Sequence, residues 1–142
     1  MTDEAARRRR LDELRMAAED GDAEAMFLLG VAHAQGQGVP RNDVAAARWF
    51  QQAARRGHAR ANTSIGYLHS TGRGVRHDLI LAYLFLHEAA QAGDPLASDM
   101  LARLRPTMTQ AQIKEAEGRR RAQQAAGPGA PSKFKLSPSP EP

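Results

Sequence analysis

The sequence contains no cysteine, which excludes a disulfide framework, thiolate catalysis and cysteine ligation of a metal. Aromatic residues make up only 5% of the chain and no run of alternating branched residues occurs, so a β-sheet core has little to be built from. Ala, Arg, Leu and Gln dominate instead and favour helices. The longest apolar run, Leu79 to Leu86, is far shorter than the roughly 20 residues a helix needs to cross a bilayer. Near the N-terminus, where a secretory leader would need an apolar segment, stand the four arginines Arg7 to Arg10. A soluble cytoplasmic protein with no membrane partner is the expectation.

Chemistry-bearing motifs are equally scarce. No Gly-x-Ser-x-Gly, no glycine loop followed by lysine, and no carboxylate pair apart from helix caps is present. The expectation is a protein that is not an enzyme, with no catalytic residues and no cofactor. Five histidines are present, but none has a tight ligand spacing such as H-x-x-x-H. His33 and His69 therefore read as rings at the edge of a core, and no metal is expected.

The net charge of +4 is unevenly distributed. Residues 21 to 104 carry eight basic and seven acidic side chains, whereas residues 105 to 142 carry seven and three. A nearly balanced body is not the footprint of a dedicated nucleic-acid binder. The basic C-terminal segment, with Arg119, Arg120, Arg121, Lys133 and Lys135, carries the alternative of a nucleic-acid-associated protein. The run Arg7 to Arg10 spans more than one helical turn and is offset by Asp3, Glu4, Asp12 and Glu13, so it reads as a solvated helix.

What the chain does have is a repeat. At a fixed offset of 36 residues, Gly21/Gly57/Gly93, Ala25/Ala61/Ala97, Gly30/Gly66, Gly36/Gly72, Gly38/Gly74, Val39/Val75, Ala46/Ala82 and Ala53-Ala54/Ala89-Ala90 align. A period of this length marks a solenoid of helical pairs, each burying its apolar face on its neighbours. The spacing predicts helices over residues 4–19, 23–35, 43–56, 59–71, 79–92, from Pro95 to about Arg105, and 110–124. Asp22, Asn42 or Asp43, Asp78 and Asp94 supply caps, and Thr109 with Gln112 forms a capping box. His58 stands where the other first helices have aspartate, which predicts a weaker start. Gly30 and Gly66 sit mid-helix, each at a cost of about 1 kcal/mol relative to alanine, so a close helix crossing is expected at that register.

Ala25, Leu29, Gly30, Gly36, Gly38, Val39, Asn42, Ala46, Trp49, Phe50, Ala53, Ala54 and Gly57, matched by Ala61, Gly66, Gly72, Gly74, Val75, Asp78, Ala82, Phe85, Ala89, Ala90 and Gly93, resemble the Sel-1-like repeat, a relative of the tetratricopeptide repeat. The resemblance covers about residues 10 to 105. It implies an all-α fold, an α/α solenoid wound as a right-handed superhelix, and a role in holding protein partners together. Bacterial members often close with a segment like Met108 to Ala116. The chain departs from the family pattern at His33 and His69, where tyrosine is usual, and at Ile65, where leucine is usual.

The expected organisation is an N-terminal capping helix (4–20), two repeats (21–56 and 57–92), a partial repeat with a C-terminal capping helix (93–125), and a disordered Pro/Ser/Gly-rich tail (126–142). By analogy with tetratricopeptide stacks, the first helix of each unit lines a groove for a protein or peptide partner. That selects Glu24, Phe27, Val31 and Gln35, then Arg60, Thr63, Tyr67 and Ser70, then Asp99 and Arg103, with Phe27 and Tyr67 as aromatic anchors. Nucleic acid is not the expected partner. Ile80, Leu81 and Leu84 would form a homodimer surface if the terminal helix left them bare.

Overall fold

A computed structural model describes residues 2–126. The tail expected to be disordered lies, from Gly127 on, outside the described residues. The elements are α1 (Asp3–Glu19), α2 (Ala23–Gln35), α3 (Asp43–Arg55), α4 (Ala59–Thr71), α5 (Leu79–Gln91), α6 (Pro95–Leu104), a 3-10 turn (Arg105–Thr107) and α7 (Gln110–Ala125). Helices α2 and α3 pack as one hairpin and α4 and α5 as the next, joined through α3 against α4. The protein is an all-α solenoid.

Side chains at the predicted caps start the helices. Asp22, Asn42, Asp78 and Asp94 accept from backbone amides of α2, α3, α5 and α6, and Thr109 and Gln112 close the capping box of α7. His58 is a full cap despite its type. Its Nδ1 accepts from the Ala61 amide at 3.1 Å, its Nε2 pairs with Glu24 at 3.0 Å, and its ring stacks on Phe27 with centroids 4.6 Å apart. An imidazole nitrogen can replace a carboxylate oxygen here because Glu24 holds the proton on the opposite nitrogen.

The small residues of the repeat set the helix spacing. A Cβ at Gly30 would lie 2.5 Å from Cε1 of Phe50, and one at Gly66 would lie 2.7 Å from Cγ of Leu86. Both partners are buried, so each glycine lets its hairpin close on a large side chain worth about 1.5–3 kcal/mol when fully buried. Between repeats, Gly74 adopts φ +73° and lies against the backbone carbonyl of Asp43, where any side chain would collide. Gly38 packs in the same way on Leu11 and Arg7, the residues 36 positions before Ala47 and Asp43. At this contact α1 meets the Gly38 loop as α3 meets the Gly74 loop.

Arg73 fastens the same junction. Its guanidinium binds Asp43 through Nε at 3.3 Å and Nη2 at 3.1 Å, and Nη2 also donates to the Ala34 carbonyl at 3.3 Å. Burial alone would raise the Asp43 carboxyl, but the hydrogen bonds and charges of Arg73 and Arg41 outweigh it and hold the group below its ordinary value.

The third unit departs from the pattern. Ala102, at the register of Gly30 and Gly66, is exposed, and α7 packs on α5 rather than completing a hairpin of the α2–α3 type with α6. Helix α5 is enclosed by α4, α6 and α7. Leu81 and Leu84 are buried and Ile80 half-buried within the single chain, so the condition for a dimer through Ile80, Leu81 and Leu84 is not met. Trp49 is also only half-buried, while its neighbour Phe50 carries the core contact.

Candidate partner-binding site

The first helices of the repeats present their residues very differently from one register to the next. Phe27 and Thr63 are buried, at 9% and 2% exposure, and this corrects the expectation that they face a partner. The cause is the next repeat. Its capping residue lies over the position, so His58 stacks on Phe27, and Asp94 accepts from the Thr63 hydroxyl at 2.5 Å. One joint is thus built twice with different chemistry, an aromatic stack and a buried hydrogen bond. Asp99, at the same register in α6, has no repeat beyond it and is exposed.

One turn further along, Tyr67 is 41% exposed and Arg103, 36 residues later, is more exposed still. Both line a cavity of about 450 Å³ between α4, α5 and α6. Leu79, Leu86, Met100 and Leu104 supply its apolar surface, and Tyr67, Ser70, His77, Arg103 and Thr107 its polar groups. The structure brings together Tyr67, Ser70 and Arg103 of the expected residues, with Asp99 one turn from Arg103. Glu24 is engaged with His58, Val31 is half-buried, and Arg60 is exposed on the first turn of α4.

Tyr67 is held in place. The Arg73 guanidinium lies over its ring, 5.9 Å from the centroid, and Arg73 is itself fixed by Asp43. The Ser70 and Thr71 hydroxyls both donate to the Tyr67 carbonyl, at 2.7 and 3.0 Å. Arg103 forms an i,i+4 pair with Asp99 at 3.2 Å, with the side chains 79% and 56% exposed, an arrangement worth a few tenths of a kcal/mol.

None of the histidines with displaced titration is among the residues lining the cavity. His69 is fully buried, donates from Nδ1 to the Arg76 carbonyl at 2.9 Å and stacks on Phe85. Its desolvation pushes the pKa below the usual value, against the opposing pull of the Arg76 carbonyl and Asp78. His33 is lowered by burial and by Arg15, and His87 by burial and then by Arg120 and Arg105. Among the described residues no group of three or more His, Asp or Glu is placed to hold a metal ion, and no helix is long and apolar enough to cross a membrane.

The family model for the Sel1 repeat matches residues 23–58 and 59–94. The chain belongs to the Sel1 repeat family. Among solved structures it is similar to a protective antigen of uropathogenic Escherichia coli strains that displays an SLR fold, with a TM-score of 0.73 and 25% identity over 88% of this chain and 30% of that one. It is also similar to a Sel1 repeat protein from Oxalobacter formigenes, with a TM-score of 0.61 and 34% identity over 64% of this chain and 37% of that one. This chain therefore spans about a third of the length of either. No curated protein matches it. The two matched Sel1 repeats comprise α2–α3 and α4–α5, and the cavity lies where the second repeat meets α6.

The residues that sequence reasoning missed are His77, Met100, Leu104 and Thr107. Leu79 and Leu86 stood out only as the ends of an apolar run. Met100 and Leu104 carry only the signal of two apolar residues four apart on one helix face, which does not separate a pocket wall from ordinary packing.

Proposed function

We propose that the chain is a non-catalytic cytoplasmic adaptor that binds a protein or peptide partner through exposed residues of α4 and α6, centred on Tyr67 and Arg103. The observation that carries the reading is the convergence of Tyr67, Ser70 and Arg103 on one open cavity with an apolar surface. Exposed aromatic and arginine side chains beside an apolar pocket are the usual energetic centre of protein interfaces. Membership of a family of interaction repeats supports the same role. Among the residues lining the cavity there is no carboxylate to work with His77 as an acid–base pair, which favours binding over reaction.

The test is a quantitative affinity capture from the native host with the wild type and with Tyr67→Ala/Arg103→Ala. A partner retained by the wild type and depleted with the double variant supports the reading. An unchanged partner set counts against it.

A further inference from the structure

The cavity between α4 and α6 has a chemistry that narrows the partner, and the inference drawn from it rests on the adaptor reading. We propose that it receives a short peptide segment in which a bulky aliphatic side chain is followed closely by a carboxylate. Charge complementarity selects the acidic member. The ionic and ionisable groups lining the cavity are Arg103, His77 and the Tyr67 phenol, with no aspartate or glutamate. Arg103 is held only by an exposed pairing with Asp99. A ligand carboxylate can take over the guanidinium with little loss, because such surface pairs contribute almost nothing to stability and the fork of arginine donors matches a carboxylate in a bidentate way.

Shape and surface select the aliphatic member. Leu79 and Met100 are half-buried and offer aliphatic contacts, while Leu86 and Leu104 are buried in the lining, and a methionine adapts to an irregular guest. A volume of about 450 Å³ falls at the low end for ligand pockets and suits a segment of chain. Ser70 spends its hydroxyl hydrogen on the Tyr67 carbonyl, so the rim offers few neutral donors and leaves discrimination to the arginine. The Tyr67 wall is preorganised by Arg73, which lowers the ordering cost of binding.

The test uses the full chain labelled with nitrogen-15 and follows backbone amide shifts while short blocked peptides are added. The probes alternate leucine with glutamate, leucine with lysine, or serine with glutamate, and an oligothymidylate of similar length serves as a nucleic-acid anion. Expected are saturable shifts at Ser70, Leu79 and Arg103 with the leucine–glutamate peptide only. Arg103→Glu should weaken that peptide about tenfold and raise the response to the leucine–lysine peptide. Equal binding of the lysine or serine peptide, displacement by the oligothymidylate, shifts centred elsewhere, or none at millimolar peptide would overturn the proposal. If the peptides fail while a host partner still depends on Tyr67 and Arg103, the cavity chemistry alone is wrong. If both fail, the adaptor reading falls with it.

Discussion

Three glycines in helix interiors make opposite forecasts for one substitution. Alanine in place of a mid-helix glycine stabilises by about 1 kcal/mol when nothing opposes the new methyl group. At Gly118 in α7 nothing lies within 4 Å of the added carbon, so Gly118→Ala should deliver most of that gain. At Gly66 the carbon would fall 2.7 Å from Cγ and 2.9 Å from Cδ2 of Leu86, and 3.2 Å from the Ala82 carbonyl oxygen. Leu86 is 1% exposed and cannot swing into solvent, and the carbonyl belongs to the backbone of α5. Overpacking of this kind costs about 1–3 kcal/mol, and the two fixed obstacles put Gly66→Ala toward the upper end, for a net loss of about 1–2 kcal/mol after the helix gain. Gly30→Ala, which meets the buried Phe50 ring at 2.5 and 2.6 Å, should behave like Gly66→Ala. Urea denaturation followed by circular dichroism reads the difference, about 2–3 kcal/mol between the Gly66 and Gly118 variants, as a midpoint shift of about 1 M or more. Adding Leu86→Ala should make room for the methyl, so the double variant should lose less than the sum of the two singles. Stabilisation by Gly66→Ala equal to that by Gly118→Ala would refute the close-crossing argument.

The duplicated joint offers a second test: Thr63→Phe alone should destabilise by roughly 1–3 kcal/mol through overpacking and an unpaired buried Asp94 oxygen. Combining it with Asp94→His, which rebuilds the Phe27–His58 pair in the next repeat, should recover part of the loss in the same urea assay. Folding lowers the pKa of His69, His33 and His87, so the unfolded chain binds more protons below the ordinary value of 6.5. Stability is fully present above that value and is lost as pH falls beneath it. His69→Phe should flatten this acid slope, by at most about 1.4 kcal/mol per pH unit, in thermal melts at several pH values. Removal of residues 109–126 takes away α7 and one of the three helices enclosing α5; sedimentation should then show more self-association than the full chain does.

The helices and their register were legible because the repeat writes the same signals at a 36-residue spacing: Asp22, Asp94 and Thr109 cap as their types suggest, and Gly30 and Gly66 mark the crossings. His58 was misjudged as a weak start because its capping depends on Glu24, 34 residues away, fixing the tautomer. Phe27 and Thr63 were misplaced for a related reason. A shallow groove and a solvent face use similar side chains, and only the covering of each position by the next cap, His58 or Asp94, separates them. The cavity beside Arg103 required knowing that α7 turns back onto α5 and leaves α6 without a hairpin partner, a choice that no periodicity encodes.

The central claim is that the cleft bearing Tyr67 and Arg103 is where a partner binds. It is tested most directly by a photo-crosslinking amino acid placed singly at Ser70, at Arg103 and, as a control, at the exposed Arg48 of α3, with irradiation in the native host. The account predicts one discrete adduct common to positions 70 and 103 and absent at position 48. No adduct from the cleft positions, or the same adducts from all three, would contradict it.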